Sequence, residues 1–81
     1  MNIKITYFAS LRESLGRSEQ IITVDRPITA LQAWTNATGE AELPSHLLIA
    51  INHEYKDAQS LVNDGDELAF FPLLLEDKPY V

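Results

Sequence analysis

The sequence predicts an α+β domain, a mixed sheet of about five strands packed on one main helix. Three observations predict it. Both the first residues, Asn2 to Phe8, and a late stretch, Glu67 to Phe71, read as strands. One well-capped helix, Thr29 to Ala37, lies between them. Leu47 to Asn52 is apolar at nearly every position, as expected of a strand that is central or covered on both sides.

Each element follows from local chemistry. In Asn2 to Phe8, Ile3, Ile5 and Tyr7 alternate with Lys4, Thr6 and Phe8. A period of two marks a strand with one buried face, and it leaves Phe8 on the less buried one. Ala9 to Gly16 reads as a short helix. Ser10 and Glu13 are placed as a capping box, Leu11 and Leu15 share a face, and Gly16 suits the left-handed position that ends a helix. Glu19 to Val24 is rich in β-branched residues and follows a short connection, so it should pair antiparallel with the first strand. Thr29 and Gln32 form a second capping box, with Ile28 and Ala33 spaced as a hydrophobic staple. Ala30, Leu31, Trp34 and Ala37 lie near one stripe, and Gly39 closes the helix. Trp34 on that stripe reads as core rather than as a ligand platform.

After the strand at Leu47, Asn52-His53-Glu54 turns the chain. Tyr55 to Asp57 is a short extended piece, and Ala58 to Val62 a turn or irregular strand. Asp64-Gly65-Asp66 is a tight turn: Gly65 takes a positive φ, and the flanking Asn and Asp side chains bond their own backbone. The last strand ends at Pro72, which cannot donate to a ladder. In this order the first and last long strands lie side by side and parallel. The long crossover that parallel pairing needs is supplied by the chain carrying the main helix. The arrangement is a β-grasp. Residues 1–72 form the domain and 73–81 a tail.

Composition bounds function. A chain of 81 residues, 46% hydrophobic and 22% charged, is one globular domain. It has no cysteine, which removes disulfides, thiolate metal sites and cysteine nucleophiles. No signal-peptide pattern is visible, and no apolar run nears the ~18 residues of a membrane span, so the chain reads as cytoplasmic with no membrane partner. Its formal net charge is −6 and its six basic residues are scattered, which argues against nucleic acid. The acidic charge serves solubility or a partner with a basic surface.

No self-contained active site is expected, and no cofactor is called for. GxGxxG, GKS/T and HExxH are absent. His46 and His53 have no carboxylate at ligand spacing, and Asp64-Gly65-Asp66-Glu67 lacks the twelve-residue calcium pattern. One feature stands out. With Leu68 and Phe70 pointing inward, Ala69 and Phe71 point outward onto the face of Phe8, beside the tail of Leu73, Leu74 and Leu75. An exposed aromatic pair next to an apolar tail reads as a protein interface involving Phe8, Phe71, Pro72 and Leu73 to Leu75.

Three stretches together resemble the small, sulfur-carrier subunits of molybdopterin synthase, a ubiquitin-like β-grasp family. They are Ile5-Thr6-Tyr7-Phe8-Ala9-Ser10-Leu11-Arg12-Glu13 with Gly16, then Ala50-Ile51-Asn52, then Asp64-Gly65-Asp66-Glu67-Leu68-Ala69-Phe70-Phe71-Pro72. The resemblance runs through residue 72, in order and with similar spacing. It implies a role in molybdenum cofactor biosynthesis. An adenylating, E1-like enzyme activates the C-terminal glycine carboxylate of such carriers to a thiocarboxylate. The tail then enters the large catalytic subunit and gives its sulfur to precursor Z. The resemblance also implies contact between Arg12 and partner carboxylates. At the positions of the family's terminal Gly-Gly this sequence carries Glu76 and Asp77, and it continues to Val81 with no glycine after Gly65. Diglycine threads a narrow channel because it has no Cβ atoms. Pro79-Tyr80-Val81 is bulky, so the expectation is a docking subunit that is not thiocarboxylated in the family's manner. The alternative is a non-catalytic β-grasp interaction module.

Overall fold

A computed structural model describes residues 1–73 of the chain. The elements are β1 (Asn2–Tyr7), α1 (Ala9–Leu15), β2 (Glu19–Thr23), β3 (Ile28–Thr29), α2 (Ala30–Thr38), β4 (Leu47–Ile51), β5 (Glu54–Lys56), β6 (Leu61–Val62) and β7 (Glu67–Pro72). Five strands form one sheet in the order β2-β1-β7-β4-β5, and β3 with β6 forms a separate two-stranded ladder. β1 pairs antiparallel with β2 and parallel with β7, as the order of elements predicts, with Ile5 opposite Leu68 and Tyr7 opposite Phe70. β7 runs antiparallel to β4. This is the β-grasp: a mixed sheet with both helices on one face.

The period-two pattern sorts the faces. Ile3, Ile5, Tyr7, Ile22, Leu47, Ile49, Ile51, Leu68 and Phe70 are buried against Ala30, Ala33 and Trp34 of α2. Phe70 is the pivot. The Trp34 ring meets it edge-on at 5.0 Å, and Tyr7 stacks on it at 6.2 Å. Each buried polar handle has a partner. Trp34 Nε1 donates to the Glu42 carbonyl (3.1 Å), and the Tyr7 hydroxyl to Gln20 Oε1 (3.2 Å). Burial pushes the Tyr7 phenol up, although the Arg17 guanidinium nearby pulls it the other way. Leu31, expected to lie deep, is only half-buried, and Ala33 takes the deeper place. β4 is interior to the sheet but covered on one face only, so Leu48 and Ala50 stay half-exposed.

Two local expectations meet different fates. At α2, Gln32 N–H donates to Thr29 Oγ1 (3.1 Å) and Thr29 N–H to Gln32 Oε1 (2.9 Å), which completes the capping box. Ala30 and Leu31 N–H donate to the carbonyls of Ser60 and Ala58, so three N–H groups of the first turn are satisfied. At α1 the capping box does not form. The helix begins at Ala9, Phe8 occupies the N-cap without a side-chain cap, and Ser10 lies inside the first turn. Phe8 N–H ends the parallel ladder on the Phe70 carbonyl (3.2 Å), and the Phe8 carbonyl already accepts from Leu11 and Arg12 N–H, so the helix starts two residues before Ser10 could cap it.

The Asp64–Asp66 turn ties three parts of the chain together. Gly65 sits at φ 83, where a Cβ is costly, and its N–H reaches the Asn2 carbonyl (2.9 Å). Asn2 N–H donates to Asp64 Oδ1 (2.8 Å). Asp66 accepts from Asn63 N–H (2.8 Å) and from the Asn52 amide (3.0 Å), while Asn52 Oδ1 accepts from Glu67 N–H (3.0 Å). Asn52 and His53 both have positive φ (51 and 72), the geometry of a two-residue type I′ hairpin loop.

Asn52→Ala loses both bridging bonds and a residue suited to the left-handed region, so it should cost roughly 1–3 kcal/mol. Asn52→Gly keeps the backbone conformation and should cost less; thermal unfolding of the pair separates the contributions. Thr29→Ala should lose about 1 kcal/mol, read from the urea midpoint at unchanged m.

Candidate functional site

Both helices cover the inner face of the sheet, and no described element packs on the outer one. Strand register places Lys4 and Thr6 of β1, Glu19 and Ile21 of β2, Glu67, Ala69 and Phe71 of β7, Leu48 and Ala50 of β4, and Tyr55 of β5 on that open face. Residues of this face form rows across the strands, and the rows change character along them. Nearest the exit of β7 the row is apolar. Phe8, 46% exposed, meets Phe71 edge-on at 6.3 Å, and Phe71 meets Tyr55 at 5.8 Å. The next row is small: Thr6 lies opposite Ala69, and Ala69 opposite Ala50. Beyond it lies a charged cluster that spans two rows: Lys4 is opposite Glu67, with Ile21 on its other side, while Glu19 lies opposite Thr6. Lys4 Nζ is 3.7 Å from both Glu19 and Glu67, and His53 Nε2 is 3.4 Å from the other oxygen of Glu67. Between the rows lies a depression of about 320 Å³.

The structure brings together Phe8 and Phe71, the aromatic pair expected from the sequence. Leu73 continues from this edge, its N–H donating to the His46 carbonyl (2.6 Å). Pro72 does not share the surface. It occupies the inward parity opposite Leu47 and is buried, because one step along a strand reverses the face. Arg12 lies exposed in α1, one turn beyond Phe8, and makes no ion pair among the described residues. The tail positions Leu74, Leu75, Glu76, Asp77 and Val81 fall outside the described residues.

Sequence reasoning missed Tyr55, which is 74% exposed and extends the aromatic strip to the sheet edge. The signal was present: a two-residue loop at Asn52-His53 sets Ala50 opposite Tyr55. It also missed the ion cluster, because Glu19, Lys4 and Glu67 meet only once the parallel and antiparallel registers are known. Among the described residues no group of His, Cys, Asp or Glu could hold a metal ion, and no helix is long and apolar enough to cross a membrane.

Known proteins place this geometry. The chain is 31% identical to the molybdopterin synthase sulfur carrier subunit of Homo sapiens, over 86% of this chain and 88% of the relative. It is 33% identical to the subunit of the same name in Escherichia coli K12, over 86% and 93%. Among solved structures, SAMP1 from Haloferax volcanii superposes with a TM-score of 0.74 at 27% identity, over 89% of this chain and 94% of the other. The fold also recurs, with a TM-score of 0.60 at 18% identity and 89% and 93% coverage, in a structure described as the complex of subunits 1 and 2 of the molybdopterin-converting factor from Helicobacter pylori. The model of the ThiS family matches residues 5–74, nearly the whole described domain, and the chain belongs to that family.

Proposed function

We propose that the chain is the small, sulfur-carrier subunit of a molybdopterin synthase, or a divergent relative that docks in the same way. Its work is done in complex with the large catalytic subunit, in molybdenum cofactor biosynthesis and in the cytoplasm. The observation that carries the reading is the open face: an aromatic strip of Phe8, Phe71 and Tyr55 that runs into Leu73 at the start of the tail. In this reading residues 1–72 are the docking domain, and 73–81 form the segment that enters the large subunit, led by Leu73, Leu74 and Leu75. Buried Pro72 fixes where the segment leaves the sheet, since it cannot donate another ladder bond. In this reading Arg12, exposed in α1 one turn after Phe8, meets a carboxylate of the partner.

The names of the human and bacterial relatives weigh in favour of a sulfur-carrier subunit over a non-catalytic interaction module. Transfer chemistry is a separate matter from docking. Residues 66–81 contain no glycine, and Glu76-Asp77 stands where a diglycine would thread a channel. The reading assigns this chain the docking step, and an adenylating enzyme is a partner only where a terminal carboxylate is activated.

Co-purification with the large catalytic subunit of molybdopterin synthase tests the reading. Phe71→Asp and Phe8→Asp should each weaken the complex by about 2 kcal/mol, roughly thirtyfold in Kd, with the thermal midpoint of the isolated chain little changed. A wild-type chain that shows no affinity for the large subunit removes the proposal. Incubation with adenylating enzyme, ATP and a sulfur donor, followed by intact mass, should leave the chain without the gain of an oxygen-for-sulfur exchange.

A further inference from the structure

The depression on the open face shares Phe8 and Phe71 with the aromatic strip, and its chemistry extends beyond them. Its floor is small: Thr6, Ala69 and Ala50 lie side by side on three adjacent strands. One wall is aromatic, made by Phe8 and Phe71. The opposite wall is Lys4, Glu67 and His53, and Glu19, opposite Thr6 on β2, closes that end of the floor. The two carboxylates share one ammonium, each at 3.7 Å, so the cluster carries a net negative charge whenever His53 is neutral. The side chains of Lys4, Glu19 and Glu67 are 45%, 60% and 42% exposed, which keeps their outer oxygens available to a newcomer.

We infer that this depression is a socket for one arginine side chain projecting from the docking partner. The inference rests on the docking reading above and adds to it the chemistry of the partner's surface. Three occupants can be compared. An apolar side chain would fill the floor but strip water from three charged groups without replacing it. A carboxylate would meet a wall that is already net negative. An arginine satisfies every wall at once. Its aliphatic stem lies over Ala50 and Ala69 beside the Phe71 wall, and its forked N–H groups reach Glu67 and Glu19 where Lys4 Nζ now sits. In the free chain Lys4 holds those carboxylates, so the incoming guanidinium competes with it for them.

That competition supplies the test. Affinity of the whole chain for the purified large catalytic subunit of molybdopterin synthase is measured by calorimetry at several salt concentrations. The paired substitution Glu19→Gln with Glu67→Gln should weaken binding roughly tenfold and flatten its salt dependence. Lys4→Gln should do the reverse and tighten binding several-fold, because it frees both carboxylates. Unchanged affinity in both variants overturns the socket and leaves docking through the apolar strip alone. Weaker binding in Lys4→Gln, with the glutamate pair neutral, overturns it in favour of an acidic partner group. In either case the wild-type chain still binds, so the docking reading survives. Absence of wild-type binding removes both. All three positions are partly exposed on the open face, and circular dichroism of each variant confirms that the sheet is intact.

Discussion

Parallel pairing of β1 with β7 is the constraint on which the rest of the molecule depends. It puts the first strand and the last side by side at the centre of the sheet, so every other element is placed relative to that seam. Because the pair is parallel, the chain between must cross over, and the crossover carries α2 onto one face only. The other face is left open by topology, not by composition. The seam also extends past the strands themselves: Lys4 N–H reaches the Asp66 carbonyl at one end, and Phe8 N–H the Phe70 carbonyl at the other. The second of these bonds fixes Phe8 at the start of α1 and turns its ring onto the open side.

Phe70 and Phe71 show how sharply the pleat divides labour. They are neighbours in sequence and identical in chemistry. Phe70 is fully buried between Trp34 and Tyr7, where loss of such a ring costs about 3–5 kcal/mol. Phe71 lies half-exposed between Phe8 and Tyr55, where it contributes little to folding and is available for contact. Stability and recognition are thus carried by adjacent residues on opposite faces. The grading of the open face from aromatic through small to charged gives it a polarity along the strands, with the apolar end at the exit of the tail.

The turn at Asp64 to Asp66 serves this division indirectly. Asn52, Asp64 and Asp66 use their side chains to hold the β4–β5 loop, the N-terminal strand and the start of β7 in one network. Register at β7 follows, and register decides which residues of DELAFFP face outward. Asn52 and Asp66, both within the stretches that carry the family resemblance, are accounted for by this network without any catalytic role.

Much of this was legible in the sequence because it depends on near neighbours. Alternation separated Ile3, Ile5 and Tyr7 from Lys4, Thr6 and Phe8; the Thr29–Gln32 box marked the start of α2; Gly65 marked its turn. Each is set by a period or by hydrogen bonds between residues a few positions apart. What only the tertiary structure decided involves residues far apart in the chain. The cap at α1 failed because the Phe8 carbonyl, at the end of the ladder with Phe70, starts the helix two residues before Ser10. The small sheet of β3 with β6 appeared because the first-turn N–H groups of α2 found carbonyls at Ala58 and Ser60. Pro72 turned inward through strand parity. Tyr55 joined the aromatic strip, and Glu19, Lys4 and Glu67 met as a cluster, because strand register sums local preferences over the whole sheet.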